Sequence, residues 1–115
     1  MSDPERVIPE DPLEFIRRCT RELKLLWTYH VQMRLRGRAI SRTAILQPAE
    51  SFEVIESYPE DKYLPSYLVY AHRGEDVFHV LFAADVAGDN VRVITAYRPK
   101  LSEWEPDLRT RRRKP

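Results

Sequence analysis

The sequence predicts an α+β domain in which two or three N-terminal helices pack on a four-stranded antiparallel meander. Three observations carry that expectation. The first half holds capped segments with helical apolar spacing, the second half holds four short β-branched and aromatic runs separated by turn residues, and 115 residues make one core but not two. Hydrophobic residues make up 43% of the chain and no low-complexity block interrupts them, so it reads as globular.

Taken in order, residues 1–10 carry two prolines and several charges with little apolar content and are expected to form a mobile arm. Asp11-Pro12-Leu13-Glu14 is a helix opening: Asp11 can cap a free N–H, Pro12 suits the first turn, and Glu14 occupies the reciprocal capping position. Leu13, Ile16, Thr20 and Leu23 then supply an apolar stripe, with Arg17, Arg18, Arg21 and Lys24 around it. Leu25-Leu26-Trp27 breaks this pattern and reads equally as a continuation, a break or a short extended piece. Thr28 is a cap for a second helix, with Gly37 ending it in a left-handed turn, and Ser41 caps a third that stops before Pro48. Phe52–Tyr58, Ser66–His72, Val77–Ala83 and Val91–Tyr97 read as strands, separated by Pro59–Pro65, Arg73-Gly74-Glu75 and Gly88-Asp89-Asn90. The domain is expected to span residues 11–108, followed by a basic tail over 109–115.

The net charge of +1 conceals a segregation. Arg17–Arg42 holds eight bases against Glu22 alone, Thr43–Leu108 holds five bases against twelve acids, and the tail adds five bases. Such clusters attract nucleic acid or an acidic protein, or are answered by the acidic strands within the fold. The chain has no run of about 18 apolar residues and no basic-then-apolar leader, so the expectation is a cytoplasmic protein without a membrane partner. Cys19 has no disulfide partner, which fits a reducing compartment, and reads as a small buried hydrophobe.

His30, Arg34 and Arg38 are four apart, so on a continuous helix an imidazole shares one face with two permanent cations. The bland reading is a solvated basic face. If the Gly88–Asn90 turn sets an even register, His79, Thr95 and Tyr97 project from one sheet face, with Val77, Leu81, Val91 and Val93 as apolar neighbours; an odd register separates His79 from the other two. The competing reading makes His79 a satisfied buried histidine. Should the basic helix lie beside that face, a cleft would combine the groups that metal-independent RNA cleavage requires. His30, His79 and Tyr97 would be the proton-transfer or orienting groups, and Arg34 and Arg38 would hold the phosphate. In the tail, Arg109, Arg111, Arg112 and Arg113 are expected to add salt-sensitive affinity for a phosphate backbone, and Trp104 to pack the C-terminal segment on the sheet. No histidines pair at zinc spacing and no phosphate-cradling glycine motif is present, so no metal or cofactor is expected.

The run Thr28–Ser41, with Glu53–Asp61, Pro65–Tyr70, Phe78–Val80, Val93–Pro99 and Trp104–Arg112, closely resembles a bacterial domain family of unknown function, number 4258. The resemblance spans Phe15 to Arg112. It implies a likeness to small RelE-type and BrnT-type toxins, in which helices precede an antiparallel sheet and which in several cases cut RNA. The expected partner is accordingly RNA, with an antitoxin-like or other protein partner as a further expectation. A rival expectation is a non-catalytic module that docks an acidic protein or nucleic acid.

Overall fold

Capping decides where the first half becomes helical in this computed structural model, which describes residues 7–113. Asp11 accepts from the Glu14 N–H at 3.1 Å and opens α1 (Pro12–Arg21). The Glu14 carboxylate turns away from the expected reciprocal cap and accepts from Arg21 at 2.9 Å instead. Thr28 and Ser41 cap α2 (Tyr29–Gly37) and α3 (Arg42–Leu46), accepting from Val31 N–H and Ala44 N–H. The ambiguous Leu25-Leu26-Trp27 is a strand, β1.

Both long helix ends correct the sequence reading. Gly37 is the last helical residue of α2, and the left-handed position falls two residues later, on Ala39 at φ 54°. There the Ile40 N–H bonds to the Leu35 carbonyl at 2.9 Å and the Ala39 N–H to that of Arg36 at 3.1 Å, the paired bonds of a Schellman turn. The same turn ends α1: Leu23 sits at φ 60° and Lys24 N–H bonds to the Cys19 carbonyl at 2.8 Å. Leu23 therefore leaves the expected apolar stripe and is 70% exposed, while Cys19 joins Ile16 and Thr20 among the buried residues of α1.

The strands follow the alternation of their sequences. β2 (Glu53–Tyr58), β3 (Ser66–Arg73), β4 (Asp76–Asp85) and β5 (Asn90–Tyr97) pair antiparallel in sequential order. The expected four-stranded antiparallel sheet is nevertheless a five-stranded mixed one, ordered β1-β5-β4-β3-β2, because β1 adds parallel to β5. Parallel pairing needs a long crossover, and here α2, α3 and the meander supply it.

Two bulges set which side chains face where. Between Leu81↔Thr95 and Phe82↔Val93 the register skips Ile94, so Val91 and Val93 face the helices rather than His79, correcting the expected neighbours. On that helical face Ile16, Val31, Leu35, Ile45 and Phe52 pack with Val69, Phe78, Val80, Phe82 and Ala96. In β2 the register skips Ile55, which brings Glu53 and Glu56, three apart in sequence, beside Tyr70 and Leu68 on the second face.

Candidate functional site

The second sheet face is closed by the C-terminal strap, residues 98–113. Trp104 is 2% exposed and turns its ring edge-on to His79, with ring centroids 4.3 Å apart. The strap doubles back at Asp107, whose carboxylate accepts from the N–H groups of Arg109 and Thr110, and Trp104 bridges Arg111. Arg109 stacks 3.9 Å over Tyr70 and meets Glu53 through two bonds of 3.2 and 2.9 Å. Arg111 stacks 4.6 Å over Trp104 and grips Glu56 at 2.7 and 3.2 Å. The Arg109 guanidinium holds the Glu53 carboxyl below its ordinary pKa.

Beneath the strap, Tyr70, His79 and Tyr97 form a row across three strands, because Tyr70↔His79 and His79↔Tyr97 are directly paired. His79 has no solvent exposure. Its Nε2 lies 2.6 Å from the Leu108 carbonyl, which can only accept, so Nε2 carries the proton and Nδ1 faces the Tyr97 hydroxyl at 3.3 Å. Burial pushes the imidazole pKa down, against the pull of the Leu108 carbonyl and the Glu56 carboxylate. Burial also pushes the Tyr97 phenol up.

The α2–α3 surface has the opposite chemistry. His30, Arg34 and Arg36 are exposed on α2 and have no hydrogen-bond or ion-pair partner among the described residues. Arg42 donates to the Gln32 amide oxygen and stacks 5.4 Å from Trp27. Arg38, at the end of α2, donates to the Ala96 carbonyl at 2.8 Å and Thr95 Oγ1 at 3.2 Å, filling the edge of β5 that β1 leaves open past Val93. Arg98 clamps the same turn from below, donating to the Arg38 carbonyl at 2.7 Å and pairing with Asp76 at 3.0 Å. Tyr29 is 76% exposed one turn from the half-exposed Met33.

The structure thus brings His79 and Tyr97 together and places His30 and Arg34 elsewhere. The buried side of α2, Val31 and Leu35, packs in the core on the helical face, and His79 alternates onto the other. Arg38 reaches Thr95 but spends its donors on backbone and hydroxyl oxygens. Arg109 and Arg111 are ion-paired within the domain, Arg112 lies 3.5 Å from Glu105, and Arg113 is exposed. Among the described residues no group of three or more His, Cys, Asp or Glu gathers to hold a metal ion, and no helix is long and apolar enough to cross a membrane. The expected arm falls largely on residues 1–6, which with 114–115 lie outside the described residues.

The model of one sequence family, the Domain of unknown function (DUF4258), matches residues 27–98. The chain belongs to this family. Neither a curated protein nor a solved structure matches the chain. The DUF4258 segment runs from the last residue of β1 to the residue after β5, so it contains α2, α3, His79 and Tyr97. α1 and nearly all of the strap lie outside the DUF4258 segment.

Sequence reasoning missed Arg36, because a four-residue series starting at His30 passes over it. The signal that would have found it is the absence of any Asp or Glu from Leu23 to Ala49. It also missed Glu53 and Glu56 as strap anchors, since only the bulge at Ile55 puts them on one face.

Proposed function

We propose that this domain is a non-catalytic module that binds single-stranded RNA on its α2–α3 surface. The observation that carries the reading is the uncompensated charge there: among the described residues Arg34, Arg36 and Arg42 meet no carboxylate, whereas Arg18, Arg21, Lys24, Arg98, Arg109, Arg111 and Arg112 are each paired with one. Cations without internal partners are free to replace the counterions of a phosphate backbone, and an exposed tyrosine beside them offers a stacking platform that tolerates any base.

A composite cleavage centre would need an accessible imidazole on each side of a phosphate. His30 is exposed on the α2 side of the sheet and His79 is enclosed on the other, which favours binding over cleavage. The half-exposed Met33 beside Arg34 on α2 favours a second reading, an acidic protein docked on the same surface.

The test is RNA binding as a function of salt for the native chain and for Arg34→Gln and Arg36→Gln. The log-log slope is expected to fall by about 0.7 per lost contact. Slopes unchanged in both variants would reject the surface. Incubation with RNA in chelator, with His30→Ala alongside, checks cleavage; His30-dependent cutting would reject the non-catalytic reading.

A further inference from the structure

The Schellman turn at Ala39 has a consequence beyond ending α2. It folds Ile40 back beside Leu35, the apolar contact typical of that turn, and both residues are under 5% exposed. Above them lies an open cavity of about 320 Å³, lined by Gln32, Leu35, Arg36, Ile40, Ser41 and Arg42. Its floor is aliphatic and its walls carry two guanidinium groups, one amide and one hydroxyl.

Resting on the RNA-binding reading, we infer that this cavity is a seat for one nucleotide unit, with the phosphate on Arg36 and Arg42 and the base edge on Gln32 and Ser41 above the nearly buried Leu35 and Ile40. The size lies at the lower end of the roughly 300–1,000 Å³ range of small-ligand sites, which suits one unit rather than several. A guanidinium presents its N–H groups in a planar fork that matches phosphate oxygens, and two such groups on one cavity match a dianion. Arg42 is preorganised, because the Trp27 ring and the Gln32 amide oxygen fix its plane, so little freedom is lost when it engages a ligand. Arg36 spends none of its guanidinium donors on the described residues. The Gln32 amide oxygen is taken by Arg42, which leaves its NH₂ as a donor for an acceptor on a base edge. The Ser41 hydroxyl oxygen accepts from the Ala44 N–H at 3.0 Å, so its own proton is free to donate into the cavity. An inorganic anion would use the guanidinium groups alone, and a nucleoside the amide and hydroxyl alone; only the phosphorylated base uses both.

The seat is common to a free mononucleotide and to a unit of an RNA chain, and competition separates these sources. Adenosine 5′-monophosphate, adenosine and inorganic phosphate are titrated into the full chain, with amide chemical shifts and calorimetry as readouts. The monophosphate is expected to shift Leu35, Ile40 and Ser41 and to bind at least about tenfold more tightly than adenosine or phosphate, because a charged hydrogen bond is worth that factor or more. Arg42→Gln and Arg36→Gln are each expected to weaken it about tenfold. Arg36→Gln removes no hydrogen bond or ion pair among the described residues, and an unchanged thermal unfolding midpoint separates its effect from misfolding. Arg112→Gln, on the strap, is the unchanged control. Equal affinity for the three probes, shifts located elsewhere, or indifference of both arginine variants would overturn the assignment. Displacement of a single-stranded RNA by the monophosphate identifies the ligand as a unit of the chain; simultaneous binding identifies it as a free nucleotide. RNA binding without monophosphate binding rejects the seat and spares the surface, and monophosphate binding without RNA binding does the reverse.

Discussion

Arg109 and Arg111 on the strap are each held between a carboxylate and an aromatic ring, whereas Arg34 and Arg36 on α2 meet neither among the described residues. Both surfaces are rich in arginine. Their difference lies in what the sheet places opposite them. β2 offers Glu53 and Glu56 to the strap, while the chain offers α2 no acid from Leu23 to Ala49. A guanidinium with a fixed bidentate partner is a fastener, and one without is available to a ligand. Runs of basic residues therefore say little about binding until the partners are known.

The largest effect expected on this comparison comes from breaking the fastened side. Trp104→Ala removes the ring that covers His79 and carries Arg111, and large-to-small changes at such buried aromatics cost about 3–5 kcal/mol. Urea unfolding should show that loss, while RNA affinity below the transition stays within about twofold, since among the described residues Arg34, Arg36 and Arg42 make no hydrogen bond or ion pair with the strap. A small change in unfolding free energy would mean that the strap is not part of the cooperative unit.

His79 gives the next effect, and it depends on pH. Its pKa is lowered by folding, so on acidification the unfolded chain takes up the proton first. Its contribution to stability is complete above the unfolded value, about 6.5, and declines as pH falls through 6.5 toward the folded value. His79→Leu strands the Leu108 carbonyl and the Tyr97 hydroxyl, costing about 1–3 kcal/mol at pH 8. The same variant should flatten the stability profile between pH 7 and 5, and a profile parallel to that of the native chain would remove the histidine from the linkage.

Arginine substitutions test the contrast directly. Arg109→Gln and Arg111→Gln are each expected to cost about 1 kcal/mol of stability and to leave the salt slope of RNA binding unchanged. Arg34→Gln and Arg36→Gln should do the opposite, with stability within about 0.5 kcal/mol of the native chain. A strap variant that altered the salt slope would return the C-terminal arginines to the RNA surface.

Much of the fold is legible in the residues. Asp11, Thr28 and Ser41 cap helices as their side-chain oxygens require, and the four turn-bounded runs become the four antiparallel strands. What failed has a common cause. Leu25-Leu26-Trp27 is too short to declare itself and becomes a strand only because β5 provides an edge. The bulges at Ile94 and Ile55 carry no glycine or other local mark, yet each turns the residues beyond it onto the other face. The pairing of His79 with Tyr97 was not readable from the turn, which joins Asp85 to Asn90 in the odd register that would have separated them until the bulge at Ile94 restores the even one; nor was the separation of His30 from His79, which depends on which sheet face α2 covers.

The smallest effect concerns the turn beneath the unpaired arginines, where the chain has its glycine in the wrong place for the conformation it adopts. Gly37 is helical, and a Cβ there meets nothing within 4 Å, so Gly37→Ala should stabilise by about 0.5–1 kcal/mol through helix propensity alone. Ala39 holds φ 54°, where a Cβ is unfavourable by about 1–2 kcal/mol and glycine is not. Part of that relief is offset by the extra freedom glycine brings to the unfolded chain, leaving Ala39→Gly about 0.5–1 kcal/mol more stable. The α1 end is the built-in comparison: Leu23 occupies the same left-handed position at φ 60°, so Leu23→Gly should gain a similar amount. Thermal unfolding of the three variants reads the outcome. Destabilisation by Ala39→Gly would mean that Ala39 is not held in the left-handed turn, and with it would go the Leu35–Ile40 floor that the turn brings together.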